Sequence, residues 1–205
     1  LPSRGRSNFV RFLHQSADGA LWVATQGAGL LRWADGAWTS FEPANGFPDE
    51  RVNAIAETDG PSGHWIWAAT HSAGLYGWDG RAWRAWTVAE GLPADRIWDL
   101  RPVGTGAQMR LWMATEGGPA YLELPEGRVV VPAGAPASNA SSVEALSAPD
   151  GGEPEIWVGL YGGGLVRHRD GAWLRLGAAE GLQSPFVTDL AARPGRPGEL
   201  WVATD

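Results

Sequence analysis

The chain holds 205 residues with a net charge of −7, and its basic residues are 16 arginines and no lysine. An acidic chain with dispersed arginines argues against a nucleic-acid or anionic-membrane surface, and no apolar run reaches the ~18 residues that a membrane-crossing helix needs. The absence of cysteine removes disulfides and thiolate metal sites and is neutral about compartment.

The 29 glycines and 15 prolines would suggest disorder if they lacked a period. Here they fall between apolar stretches at repeating offsets and read as turns. In the first unit, Phe9 to Gln15 is a strand closed by Ala17-Asp18-Gly19, and Ala20 to Thr25 is a second. Gly29 to Trp33, ended by Asp35-Gly36, is a third, and Ala37 to Phe41 is a fourth. Asp-Gly between β-rich runs is a hairpin signal, because glycine accepts the positive φ that tight hairpin turns need.

The second unit repeats this with Val52 to Glu57, Trp65 to Thr70, Gly74 to Trp78 and Ala82 to Thr87, with turns at Asp59-Gly60 and Asp79-Gly80. The third has Ile97 to Arg101 and Arg110 to Thr115 and then departs. Pro119-Ala120 replaces Gly74-Leu75, and Leu124-Pro125-Glu126-Gly127 lengthens the last hairpin. Its fourth strand, Val129-Val130-Val131, lacks tryptophan. The fourth unit has Val143 to Ser147, Glu155 to Leu160, Gly164 to His168 and Ala172 to Leu176, and a fifth starts at Phe186-Val187 and supplies two strands. The units run roughly over 1–46, 47–91, 92–136, 137–181 and 182–205.

The register is set by a pentad. Leu21-Trp22-Val23-Ala24-Thr25 returns around Trp67, Trp112, Trp157 and Trp201, at spacings of 45, 45, 45 and 44 residues. Both faces of each pentad are apolar, so both faces are covered. Four-stranded antiparallel units stacked radially have that property, whereas a β-sandwich would leave one face of each sheet wet and need no period. The expected fold is all-β: a partial β-propeller of four complete four-stranded blades plus a two-strand half blade.

The combination of Asp-Gly, Leu-Trp-Val-Ala-Thr, Gly-Leu, aromatic-x-Asp-Gly and Gly-Leu-Pro resembles the two-component regulator propeller repeat over essentially the whole chain. The resemblance implies the extracytoplasmic, periplasmic sensor region of a bacterial hybrid histidine kinase or diguanylate cyclase. It also implies a small-molecule ligand, plausibly a saccharide, and no enzymatic activity in this segment. Such proteins carry many more repeats, so the chain is expected to be a fragment whose ends meet the remaining blades of a parent protein or a second copy.

The pentad tryptophans invite a sugar-stacking role, but their fixed mid-strand offset fits packing against a neighbouring blade better, and Trp38, Trp83 and Trp173 read the same way. Trp98 does not repeat; the equivalent residues are read as Asn53, Glu144 and Thr188. His14, His64, His71 and His168 share no ligand spacing, so neither a metal nor a cofactor is expected. Gly162-Gly163-Gly164 lacks the lysine and following helix of a phosphate loop. Most carboxylates belong to Asp-Gly turns.

One position varies as a binding site would. The residue after each pentad is Gln26, His71, Glu116, Tyr161 and Asp205. In a propeller this loop and the link between blades ring the mouth of the central channel, where Arg51, Asp95 and Arg96 would join them. Gln26, His71, Glu116, Tyr161, Arg51, Asp95, Arg96 and Trp98 are therefore the candidate ligand-binding residues, with solvated loop positions as the plainer alternative. Two rival functions stay open: a propeller lyase or hydrolase using His71 and Glu116, and a protein-interaction platform.

Overall fold

The computed structural model describes residues 9–60, 63–124, 126–148 and 152–205. The first unit contains β1 (Val10–Gln15), β2 (Leu21–Thr25), β3 (Leu30–Ala34) and β4 (Ala37–Phe41). The second contains β5 (Val52–Gly60), β6 (Gly63–Thr70), β7 (Leu75–Trp78) and β8 (Trp83–Trp86). The third contains β9 (Ile97–Val103), β10 (Arg110–Thr115), β11 (Gly118–Glu123) and β12 (Arg128–Val130). The fourth contains β13 (Ala140–Leu146), β14 (Glu155–Leu160), β15 (Gly164–Arg169) and β16 (Ala172–Leu176). Last come β17 (Val187–Ala192) and β18 (Leu200–Thr204).

Each complete unit is a four-stranded antiparallel sheet in chain order, and β17 and β18 form a two-stranded sheet. The first strand of each unit packs on the first strand of the next, β1 on β5, β5 on β9, β9 on β13 and β13 on β17. The result is a propeller-like stack with the first strands innermost.

Local chemistry explains the repeat. The pentad threonine is fully buried and closes the turn after the second strand: Thr25 Oγ1 donates to Gly29 O at 2.8 Å and accepts from Ala28 N at 2.9 Å. Thr70 repeats both bonds with Gly74 and Ala73. The glycine opening the third strand is dictated by space as well as dihedral angle. Gly29 and Gly74 have φ of 70° and 89°, and a Cβ at either would strike the carbonyl of Phe41 or Trp86 on the fourth strand. Asp35-Gly36 and Asp170-Gly171 have positive φ at both residues, the twist that a two-residue hairpin requires.

The first three pentad tryptophans lie between an aromatic ring of their own unit, Phe41, Trp65 or Tyr121, and the next unit. Trp22 packs with Val52, Ile55 and Ile66 of the second unit, Trp67 with Ile97, Leu100 and Met113 of the third, and Trp112 with Val143, Ile156 and Val158 of the fourth. These three are at most 2% exposed. Trp157 faces the two-stranded sheet and is only partly buried among Val187, Leu190 and Val202, and Trp201 is 57% exposed. The expected packing against a neighbour is thus complete for three tryptophans and partial for Trp157, whose cover is a sheet of two strands.

The third unit's fourth strand is present as expected, one residue earlier: β12 pairs with β11 through Val130, Val129 and Arg128. Two expectations need correction. Asp59-Gly60 lies inside β5, which pairs to Gly63 through Gly60, so it is not the turn of that hairpin. The first strand of the fourth unit begins at Ala140, three residues before Val143. Pro125, in the lengthened hairpin, lies outside the described residues.

Candidate functional site at the axial mouth

The residue after each pentad is held against the innermost strand by one recurring bond. The backbone N–H of Gln26, His71, Glu116, Tyr161 and Asp205 donates to the carbonyl of Phe9, Arg51, Arg96, Asn139 and Phe186 respectively, at 2.9–3.1 Å. These positions therefore stand at one end of the stack and at one radius.

Two residues further on, every innermost strand is irregular. The register slips between Val10 and Phe12, Val52 and Ala54, Ala140 and Ser142, and Val187 and Asp189, and Thr115 and Ala114 pair with Ile97 and Asp99. The extra residues are Arg11, Asn53, Trp98, Ser141 and Thr188. A β-bulge leaves its extra residue out of the ladder and re-aims its side chain, which is why bulges gather beside functional sites. The equivalent of Trp98 in the fourth unit is thus Ser141, not Glu144. Glu144 pairs with Trp157 further down the strand and accepts from Arg101 Nη2 at 2.7 Å.

The bulge residues stitch neighbouring units together around the axis. Gln26 Nε2 donates to Asn53 Oδ1 at 3.1 Å, and Asn53 Nδ2 donates to Ile97 O at 2.8 Å. Trp98 Nε1 donates to Asn139 Oδ1 at 3.0 Å, and Ser141 Oγ donates to Val187 O at 2.6 Å. Below them, Asp99 Oδ2 accepts from Val143 N at 3.0 Å and Oδ1 from Leu100 N at 2.8 Å. Burial pushes the Asp99 carboxyl up to about 6.

Arg11, Trp98, Asn139, Ser141, Tyr161 and Thr188 enclose a cavity of about 390 Å³. Of the eight residues expected from the sequence, Trp98 and Tyr161 line it. Gln26 orients Asn53, and His71 stands edge-on to Trp98 with ring centroids 5.4 Å apart. Burial, then the charges of Arg51 and Arg96, hold the His71 imidazole below its ordinary range, so it is neutral at pH 7. Arg96 lies over the Trp98 ring at 5.7 Å and pairs with Glu116 at 2.6 Å, forming the rim with Arg51. Asp95 is not brought into the cavity: its Oδ1 accepts from Val88 N at 2.8 Å, capping the linker turn. Arg11, Asn139, Ser141 and Thr188 were not singled out by the sequence. The signal for three of them is the extra residue at the head of each innermost strand.

Among the described residues no group of three or more His, Asp or Glu side chains is placed to hold a metal ion. His14 is bonded to Glu57 across the first two units at 2.8 Å.

No protein-family model matches the chain, and no curated protein matches its sequence. Solved structures do. The extracellular domain of a protein assigned to a hybrid two-component system of B. thetaiotaomicron is 20% identical with a TM-score of 0.74, over 97% of this chain and 28% of that one. The extracellular domain of a protein assigned to a one-component system of the same organism is 17% identical with a TM-score of 0.73, over 100% and 27%. PorZ, a surface component of the type-IX secretion system of Porphyromonas gingivalis, is 15% identical with a TM-score of 0.68, over 95% and 31%. At these identities the likeness is one of fold, and the chain spans less than a third of each of these structures.

Proposed function

We propose that this chain is part of the ligand-sensing propeller of a bacterial transmembrane signalling protein, four complete blades and half of a fifth, lying outside the cytoplasm. In this reading it binds a small saccharide at the axial mouth without turning it over. The observation that carries the reading is the row of bulges, which sets dissimilar polar and aromatic side chains around one cavity on a rigid repeat. The extracellular signalling domains that share the fold support the location and the sensing role. The saccharide rests on the resemblance of the repeat motif. The open faces at the two ends are covered by further blades of the parent protein.

A protein-interaction platform is the second reading, favoured by the secretion component with the same fold and by the exposed apolar ends. An enzyme built on His71 and Glu116 has less support, because the Glu116 carboxylate is already paired with Arg96 Nη1.

Calorimetric titration with a panel of oligosaccharides, with the mixture assayed for products, tests the proposal. Saturable binding without product, lost in Trp98→Ala, is the expected result. Binding that survives Trp98→Ala overturns the axial site, and product formation overturns the sensor in favour of the enzyme.

A further inference from the structure

The axial cavity has an imbalance of charge and of hydrogen-bonding capacity. Among the described residues the Arg11 guanidinium makes no ion pair or hydrogen bond, and it stands exposed on the bulge of β1. The other two arginines of the mouth are neutralised: Arg96 by Glu116 at 2.6 Å, and Arg51 near Asp49 at 3.7 Å. None of the six residues enclosing the cavity is acidic. The carboxylates nearby are engaged: Asp205 accepts from Tyr161 Oη at 3.3 Å, Asp99 from two backbone N–H groups, and Asp189 from Leu190 N.

The neutral groups tilt the same way. Asn139 uses its oxygen to accept from Trp98, and among the described residues neither its amide N–H₂ nor the Thr188 hydroxyl, both on the cavity wall, has a hydrogen-bond partner. The cavity thus offers one unpaired cation and spare donors beside an indole and a phenol, inside a chain whose net charge is −7. An unpaired guanidinium fork matches a carboxylate through two parallel N–H···O bonds, and an indole wall suits the C–H face of a pyranose.

We infer that the ligand of this cavity is a saccharide bearing a carboxylate, a uronate, whose carboxylate is received by Arg11. This rests on the axial reading given above. The ring hydroxyls fall to Asn139, Ser141 and Thr188, and Trp98 and Tyr161 supply the walls. Binding of such a ligand falls with salt, because its charged contact is open to solvent.

The 205-residue chain is titrated with trigalacturonate, with neutral cellotriose and with acetate, at low and high salt, by calorimetry for every variant and by the Trp98 indole N–H resonance where that residue is kept. Trigalacturonate should saturate the shift and weaken with salt. Arg11→Ala should weaken it roughly 10–100-fold, with partial rescue in Arg11→Lys, which keeps the charge and loses the fork. Among the described residues the Arg11 guanidinium has no hydrogen bond or ion pair and is exposed, so its variants should melt as the parent does. If both trisaccharides bind equally, Arg11→Ala changes neither and Trp98→Ala weakens both, the uronate inference fails while the axial site stands. If acetate displaces trigalacturonate at equal concentration, the sugar body is overturned. If no saccharide moves the Trp98 resonance, the axial reading and this inference fall together.

Discussion

At the junction of the third and fourth units, Trp112 lies among Val143, Ile156 and Val158 and is 2% exposed. On the free face of the final two-stranded sheet, Trp201 occupies the same pentad position and is 57% exposed. Asp99 at the junction accepts from its own strand and from Val143 of the next unit. Asp189 repeats the first bond with Leu190 N, and the second bond is not made among the described residues. The contrast teaches that a unit of this chain covers one side of its own tryptophan and needs the next unit to complete the burial. Its stability is lent by the neighbour on one side, as in other stacked repeats where interfaces between repeats carry much of the folding energy. The opposite end has the same character: Val10, Phe12 and Leu13 on β1 are exposed, whereas the equivalents of Leu13 in later units, Ile55, Leu100 and Val143, are buried.

The largest test of this contrast is a pair of truncations. Trp67 is fully buried and its Nε1 donates to Thr58 Oγ1 at 2.8 Å. Trp67→Ala should cost about 3–5 kcal/mol, a large share of a domain's stability. Trp201→Ala should cost roughly 0.5 kcal/mol or less, as for other exposed sites. Thermal or urea melts of the two variants decide it, and equal losses would show that the tryptophan is buried by something other than the next unit.

Asp99 gives the next largest effect, through pH. Its folded-state carboxyl is raised to about 6 from 3.8 by burial. Between those values the folded protein holds the proton more tightly than the unfolded chain. Asp99 therefore contributes stability that is complete below pH 3.8 and is lost as pH rises through about 6. The span is roughly 1–3 kcal/mol. Subtracting the pH profile of Asp99→Asn from that of the parent should give a slope of that sign in this window. Asp189→Asn should move the upper edge of the window to lower pH by a smaller amount, because the Asp189 charge adds to the rise that burial causes. A difference profile that rises with pH would overturn the assignment.

The open faces should also associate. Exposed apolar surface beside an unpaired strand edge seeks a partner. Light scattering should show mass rising with concentration, and Leu13→Glu or Trp201→Glu should reduce it. A monomer at every concentration would mean that the two faces are self-sufficient.

The four-stranded repeat was legible because the pentad fixes it locally. Threonine and the glycine that follows act within one hairpin, so their chemistry is visible at short range. The cavity was legible only in part. Tyr161 and Trp98 stand out as departures from a repeat, but Arg11, Ser141 and Thr188 owe their position to a bulge, and alternation with period 2 hides an inserted residue. The fourth unit misleads further, because its strand begins at Ala140 inside a stretch rich in Ala, Pro and Ser, which reads as a loop. Asp95 was misplaced for the opposite reason: an aspartate in a link can cap a turn as readily as face a ligand. The exposure of Trp157 and Trp201 depends on strands that follow them, which no local pattern encodes.

The smallest effect belongs to the mouth, and it separates a binding surface from a structural one. Glu116 and Arg96 form an ion pair at 2.6 Å whose side chains are 49% and 34% exposed. Such a pair is worth about 0–1 kcal/mol and is screened by salt. The backbone N–H of Glu116, which bonds Arg96 O, holds the loop whatever the side chain is. Glu116→Ala should therefore leave the melting temperature within about 2–4 °C of the parent, with the small difference vanishing at high salt. What should change is the mouth's charge, since Arg96 is left unpaired beside Trp98. If the inferred uronate is correct, trigalacturonate should then bind more tightly, because a second guanidinium becomes available to it. A large loss of stability would instead make the rim part of the scaffold, with no clean division between the stitched junctions and the site they hold.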